Sequence, residues 1–209
     1  MHAQAGLVES VTRELAGTTR AVIALDAPLG WPALLADGLR DHRAGQLLRG
    51  ERDEVFRRTT DRLVEEWSGK RPLEVGANLI ARTAHAALAE LAAIRIALKV
   101  DVPLASFAGP PSGIVAIEVY PAVTGMAHKK KWPDWFPVSD PNQYGHPLHV
   151  RDAVLCAIAA VDFLEGRAQA PSEKEVDLAK REWAWRNRLM DLKSSRKSLG
   201  VAGAGDAVP

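Results

Sequence analysis

The residues best suited to chemistry are three acids and one histidine, each at the border of an apolar run. His149 and Asp152 stand at the entrance of a stretch, Ala153–Val161, in which every residue is apolar. Residues three apart share one face of a helix, and Pro147 suits a first helical position, where its missing N–H would have no partner. A carboxylate beside so apolar a helix is costly unless something pairs with it. A divalent metal would serve, and so would a salt bridge. Asp26 follows the apolar run Ala21–Leu25 and opens a rigid turn, Asp26-Ala-Pro-Leu-Gly-Trp-Pro32. In open α/β sheets, ligands bind at the carboxyl ends of strands; the plainer role for Asp26 is to accept N–H bonds from its own loop. Glu118 interrupts a second strand-like run, Gly113–Pro121. It is either an edge-facing glutamate or a charge on a buried sheet that demands a partner. Carboxylates with one imidazole suit Mg²⁺ or Mn²⁺ better than a structural zinc. Such clusters support in-line phosphodiester hydrolysis, in which paired metals ~3.5–4 Å apart stabilise the attacking and leaving oxygens.

Two basic groups could serve the same chemistry. Phe56-Arg-Arg-Thr-Thr-Asp-Arg62 leads into a short helix that ends near Gly69. Thr60 or Asp61 can cap that helix, while Arg57 and Arg58 are either solvated or hold a phosphate. Lys129, Lys130 and Lys131 sit among aromatics in His128-Lys-Lys-Lys-Trp-Pro-Asp-Trp-Phe136. They could grip a phosphate backbone beside stacked bases, or form a solvated run over tucked aromatics. The stretch 122–146 reads as one long loop, and long loops in compact domains are often functional.

The elements that must position these groups follow from hydrophobic period. Leu7, Val8, Val11 and Leu15 give an amphipathic helix closed by Gly17. Ala21–Leu25 reads as a buried, parallel strand. Residues 33–49 read as polar helix broken at Gly38 and Gly45, and Ile80 to Leu98 carry the clearest amphipathic helix, from about 76. His85 within it reads as a rim or core histidine. Residues 101–112, with three prolines, connect to the strand at 113–121. The helix from 147 to 164 reads as buried on all sides. Ser172-Glu-Lys-Glu175 is a capping box opening a last helix to about 192, and 193–209 reads as a disordered tail. Two strands flanking a substantial helix imply a right-handed crossover and a parallel sheet, which brings Asp26 and Glu118 to the same sheet edge.

With 209 residues, 47% of them hydrophobic, and a net charge of +1, the chain reads as a globular domain without global attraction to nucleic acid or membrane. Its single cysteine, Cys156, excludes an intramolecular disulfide and a cysteine-rich zinc site. No signal peptide is recognisable, and no stretch approaches the ~18 apolar residues of a membrane span. A cytoplasmic protein is expected.

Four of these segments resemble one family. Ala-Leu-Asp26-Ala-Pro-Leu-Gly-Trp-Pro, Phe-Arg-Arg-Thr-Thr-Asp61-Arg, Ile-Glu118-Val-Tyr-Pro and Val-Arg-Asp152-Ala-Val-Leu-Cys-Ala-Ile-Ala-Ala look like the DUF429 family of predicted nucleases, in the expected order and over roughly residues 15–166. The resemblance implies an α/β, ribonuclease-H-like fold akin to the RuvC-type resolvases. Asp26 would lie on its fourth strand, Glu118 on its fifth and Asp152 on the closing helix, with His149 similar to the histidine of some RuvC-like sites. Such folds open with an antiparallel meander whose first strand carries an Asp, and in these 209 residues no Asp precedes Asp26. The expected organisation is therefore a ribonuclease-H-like domain at 1–170 lacking those first strands, a helix at 171–192 and a tail at 193–209.

The reading that follows is a Mg²⁺- or Mn²⁺-dependent nuclease. Asp26, Glu118 and Asp152 are its metal ligands, His149 a ligand or proton carrier, and Arg58 and Lys129–Lys131 its phosphate contacts. The competing reading is a catalytically degenerate module that binds nucleic acid or a protein. An open sheet edge left by the missing strands would favour a homodimer or a partner chain. The sugar-kinase and actin-like ATPases share the core but need glycine-rich phosphate loops, which are absent from this sequence.

Overall fold

The structure, a computed structural model, describes residues 2–75, 79–105, 110–128 and 148–168. Lys129, Lys130, Lys131, Pro147, the helix expected at 172–192 and the tail at 193–209 lie outside the described residues.

The element order is α1 (His2–Leu15), β1 (Ala21–Leu25), α2 (Ala33–Leu39), α3 (Arg52–Phe56), α4 (Thr59–Ser68), α5 (Ile80–Leu98), β2 (Ile114–Glu118), α6 (Pro121–Ala127) and α7 (Leu148–Leu164). The fold is α/β. β1 and β2 pair in parallel, with Ala21 opposite Ile114 and Leu25 opposite Glu118, and helices flank them. The parallel pairing follows from the crossover through α5; β1 matches its apolar run, and β2 is shorter than the expected 113–121, because Pro121 already opens a helix.

One sheet face carries the core. Ala21, Ile23 and Leu25 of β1 join Ile114 and Ala116 of β2 in a cluster with Ala87, Leu88 and Leu91 of α5, capped by Leu29 and Val102. Successive strand residues point to opposite faces, so Val22 and Ala24 face away from that cluster. α7 packs on β1, α6 on α7, and α1 on α5.

Four local expectations are corrected. Gly38 does not break α2; the helix runs through it and stops at Leu39. A side chain there would be crowded, because a Cβ on Gly38 would stand 3.3 Å from Leu48 Cδ2. Part of the expected long loop is helix α6, with Pro121 in the first turn, where proline needs no N–H partner. In the 101–112 connection, Leu104 bridges Ala116 in parallel: Ala105 N–H donates to the Ala116 carbonyl, and Ala116 N–H to that of Pro103, both at 2.9 Å. β2 therefore has neighbours on both edges. Finally, α7 is not buried on all sides. Leu155, Cys156, Ile158 and Phe163 are buried while Ala153 and Ala157 are exposed. Its wet face is small rather than polar, which a pattern of polarity alone does not register.

Two helix ends explain themselves. α4 is closed by Gly69 in the left-handed conformation, its N–H donating to the Glu65 carbonyl at 2.8 Å. α5 ends instead on Lys99, left-handed at φ 55° without being glycine. Among the described residues no helix is long and apolar enough to cross a membrane.

Candidate functional site

The strand register delivers two acids to one end of the sheet. Glu118 closes β2 opposite Leu25, and Asp26 is the next residue of its neighbour. They nonetheless leave the sheet differently. Glu118 shares the face of Ile114 and Ala116 by strand alternation, toward the core cluster. By the same alternation the residue after Leu25, Asp26, falls toward the other face, and α7, which packs on β1, carries Asp152. The Asp26 carboxyl is held above the ordinary value by partial burial, then by the charge of Asp152, and least by that of Glu118. The Cys156 thiol, one turn past Asp152, is pushed up to about 12 by burial and then by Asp26 and Asp152. At neutral pH it stays a thiol, not a nucleophilic thiolate. Asp26 is exposed and Asp152 half-buried. Among the described residues no cation forms an ion pair with either.

Glu118 has a different environment. Its Oε1 accepts from Arg58 Nη2 at 2.7 Å, and its Oε2 from Arg58 Nη1 at 2.7 Å and from the Leu29 N–H at 2.8 Å. Arg58 is 1% exposed, so it is not a surface arginine offered to a phosphate. Asp61 holds its other side, Oδ1 accepting from Nη2 at 2.6 Å and Oδ2 from Nε at 3.1 Å. Asp61 Oδ2 also accepts the Arg58 backbone N–H at 2.9 Å, so the carboxylate caps α4 from its third position. The Tyr120 hydroxyl closes the set, accepting from Arg58 Nη2 at 2.8 Å and donating to Asp61 Oδ1 at 2.6 Å. Burial alone would lower the Arg58 pKa, but the charge and hydrogen bonds of Glu118, with Tyr120 and Asp61, carry it above its usual value. Tyr120 is raised by burial and then by Glu118, so it remains a phenol.

His149 lies exposed in the first turn of α7, on the face of Asp152. The structure thus brings Asp26 and Asp152 together, sets Glu118 next to them but bound to Arg58, and leaves His149 open to solvent. Among the described residues no group of three or more His, Cys, Asp or Glu side chains is placed to hold a metal ion. Glu118 signalled its need for a partner as a charge in an apolar strand. That its partner is Arg58, with Tyr120 alongside, was hidden because it depends on where α4 docks. A groove of about 870 Å³ between α1 and α5, lined by Val8, Thr12, Ala16, Ala89, Ala93 and Glu90 among others, contains none of these acids.

Fold and site together define an α/β protein with a parallel strand pair and carboxylates gathered at its carboxyl end. The chain belongs to the family described as Protein of unknown function (DUF429), whose model matches residues 4–133. That span includes Asp26, Arg58, Asp61, Glu118 and Tyr120, while His149 and Asp152 follow it. No curated protein and no solved structure matches the chain.

Proposed function

We propose that this protein is a Mg²⁺- or Mn²⁺-dependent nuclease of ribonuclease-H-like type that hydrolyses a phosphodiester. The observation that carries the reading is the convergence of Asp26 and Asp152, from the end of β1 and the first turns of α7. Both are carboxylates with no cationic partner among the described residues, and burial and mutual repulsion hold Asp26 above its ordinary pKa. Like charges gathered in this way are relieved by a cation. Mg²⁺ is commonly held by one or two carboxylates together with substrate phosphate oxygens, so Asp26 and Asp152 fit it without a full protein cage. Glu118 fits less well, since its oxygens already accept three N–H bonds.

When bound, the cation neutralises phosphate charge and makes a bound water more acidic. Asp26 and Asp152 orient what lies between β1 and α7. His149, exposed on the same helical face as Asp152, serves as a further ligand or as the proton carrier for the leaving oxygen. Lys129–Lys131 supply positive charge for neighbouring phosphates. The ribonuclease-H-like assignment is supported by the family resemblance and by parallel strands of which one ends on Glu118 and the other just before Asp26.

A Mn²⁺ titration by calorimetry, with Asp152→Asn in parallel, tests the proposal, followed by cleavage assays on branched and single-stranded nucleic acids. Binding abolished by the substitution and metal-dependent cleavage are expected. Undiminished cleavage after Asp26→Ala and Asp152→Ala would reject it. One observation favours a second reading: Glu118 is committed to Arg58, as in a degenerate module that binds nucleic acid or a protein without cutting. Metal-independent binding without cleavage would select that reading. The edge of β1 that no described strand pairs also offers a place for a second copy or a partner strand.

A further inference from the structure

Glu118 emerges where a third metal ligand would be expected, yet each of its oxygens faces a donor from its own chain. Its three hydrogen bonds are 2.7–2.8 Å long, the short range of charge-assisted bonds. One of them reaches the backbone of the loop that carries Asp26. Leu25, just before Asp26, has its carbonyl bonded by the Val119 N–H at 2.9 Å. Leu29, three residues after Asp26, gives its N–H to Glu118 at 2.8 Å. The Asp26 loop is thus tied at both ends to consecutive residues of the β2 end. Pro28 and the buried Leu29 side chain stiffen it between those ties.

We propose that Arg58 and Glu118 form a latch that fixes the Asp26 loop, making Glu118 a positioning residue rather than a metal ligand. This inference rests on the proposed metal site at Asp26 and Asp152. Arg58 holds both Glu118 oxygens in a fork. Asp61 and Tyr120 hold Arg58 from behind, and the Asp61 bond to the Arg58 backbone ties the assembly to the start of α4. Freeing Glu118 to bind a cation would take the carboxylate acceptor from Nη1 of a guanidinium that is 1% exposed and leave the Leu29 N–H without its acceptor. Strand alternation also aims Glu118 at the α5 cluster, on the face of Ile114 and Ala116.

Carbon-detected NMR of the full chain during a Mg²⁺ titration tests the latch, with Glu118→Gln and Glu118→Ala as variants. The Asp26 and Asp152 carboxyl resonances are expected to move, while the Glu118 carboxyl, the Leu29 amide and the Arg58 guanidinium stay in place. Without metal, Glu118→Ala should move the Leu29 amide proton upfield and speed its exchange about tenfold or more. Glu118→Gln, which keeps one acceptor, should lie between. Loss of the latch should also weaken metal binding roughly tenfold, the lower range for residues that orient a ligand. A Glu118 carboxyl that moves with Asp26, together with a released Leu29 amide, would overturn the latch and leave the metal site standing. If no carboxyl responds to Mg²⁺, the metal reading fails instead. The Leu29 amide in Glu118→Ala then decides the latch alone: faster exchange upholds it, unchanged exchange overturns it.

Discussion

Arg58 shows how a residue type can be read correctly as charged and wrongly as exposed. It follows Arg57 and precedes two threonines, a surface-like setting, yet it is 1% exposed because Asp61, Glu118 and Tyr120 satisfy its guanidinium. Breaking a buried pair by removing one partner costs about 3–5 kcal/mol, because the surviving charge stays buried. Arg58→Met should therefore lower stability by that amount in urea unfolding, with two carboxylates left behind. Tyr120→Phe, which removes one hydroxyl, should cost only about 1 kcal/mol. Asp26 behaves in the opposite sense. Its pKa is raised in the folded state, so the folded chain holds that proton more tightly than the unfolded one. The ionised form then costs stability above the folded pKa, and the cost disappears as pH falls toward the ordinary carboxylate value, where both states are protonated. Metal-free Asp26→Asn should melt slightly higher than the wild type at pH 7, by less than about 1 kcal/mol at so exposed a site. That difference should close on acidification, and calorimetric melts at a series of pH values would show it.

Elements were legible where one physical signal dominated. The continuous apolar runs Ala21–Leu25 and Ile114–Ile117 gave both strands, and the period from Ile80 to Leu98 gave α5. The short helix α4 was legible from its stop at Gly69, but α3 and α6 were not. α3 is a five-residue turn of mixed charge without a period to read, and α6 begins on the proline of Tyr-Pro with a glycine inside it, so it read as loop. Their helicity comes from docking; α6 lies against α7, with Gly125 facing Leu155. The end of α5 has a correctable flaw, since Lys99 takes a left-handed conformation that L-residues avoid at a cost of roughly 1–2 kcal/mol. Part of that gain would be lost to the greater freedom of glycine in the unfolded chain. Lys99→Gly should raise stability by about 0.5–1 kcal/mol in thermal melts. Leu91→Ala, which empties a 1% exposed position in the core cluster, should lower it by about 2–5 kcal/mol.

At the scale of the whole molecule, the two strands are unequal. β2 has β1 on one edge and the Leu104 bridge on the other, whereas no described strand pairs with the outer edge of β1. Ala21 N–H bonds the Gly113 carbonyl and the Leu25 carbonyl accepts from Val119, so alternate β1 residues face β2. The backbone groups of Val22 and Ala24 accordingly point outward, as an edge strand presents them to another strand. An open edge is expected from the sequence where the first strands of the resembled fold are missing; among the described residues the edge without a strand is the outer one of β1. Two copies related by a two-fold axis could pair β1 with β1 antiparallel, Val22 opposite Ala24, giving a continuous four-stranded sheet. Light scattering should then give a mass that rises toward twice that of the 22.6 kDa chain with concentration. Val22→Pro removes one outward N–H and places a ring on the edge, while the bonds from Ala21 and Leu25 to β2 remain. It should hold the protein at the monomer mass while the two-strand core still melts cooperatively. A dimer that persists in Val22→Pro would place the contact elsewhere, and a wild type that stays monomeric would leave the edge for a different chain.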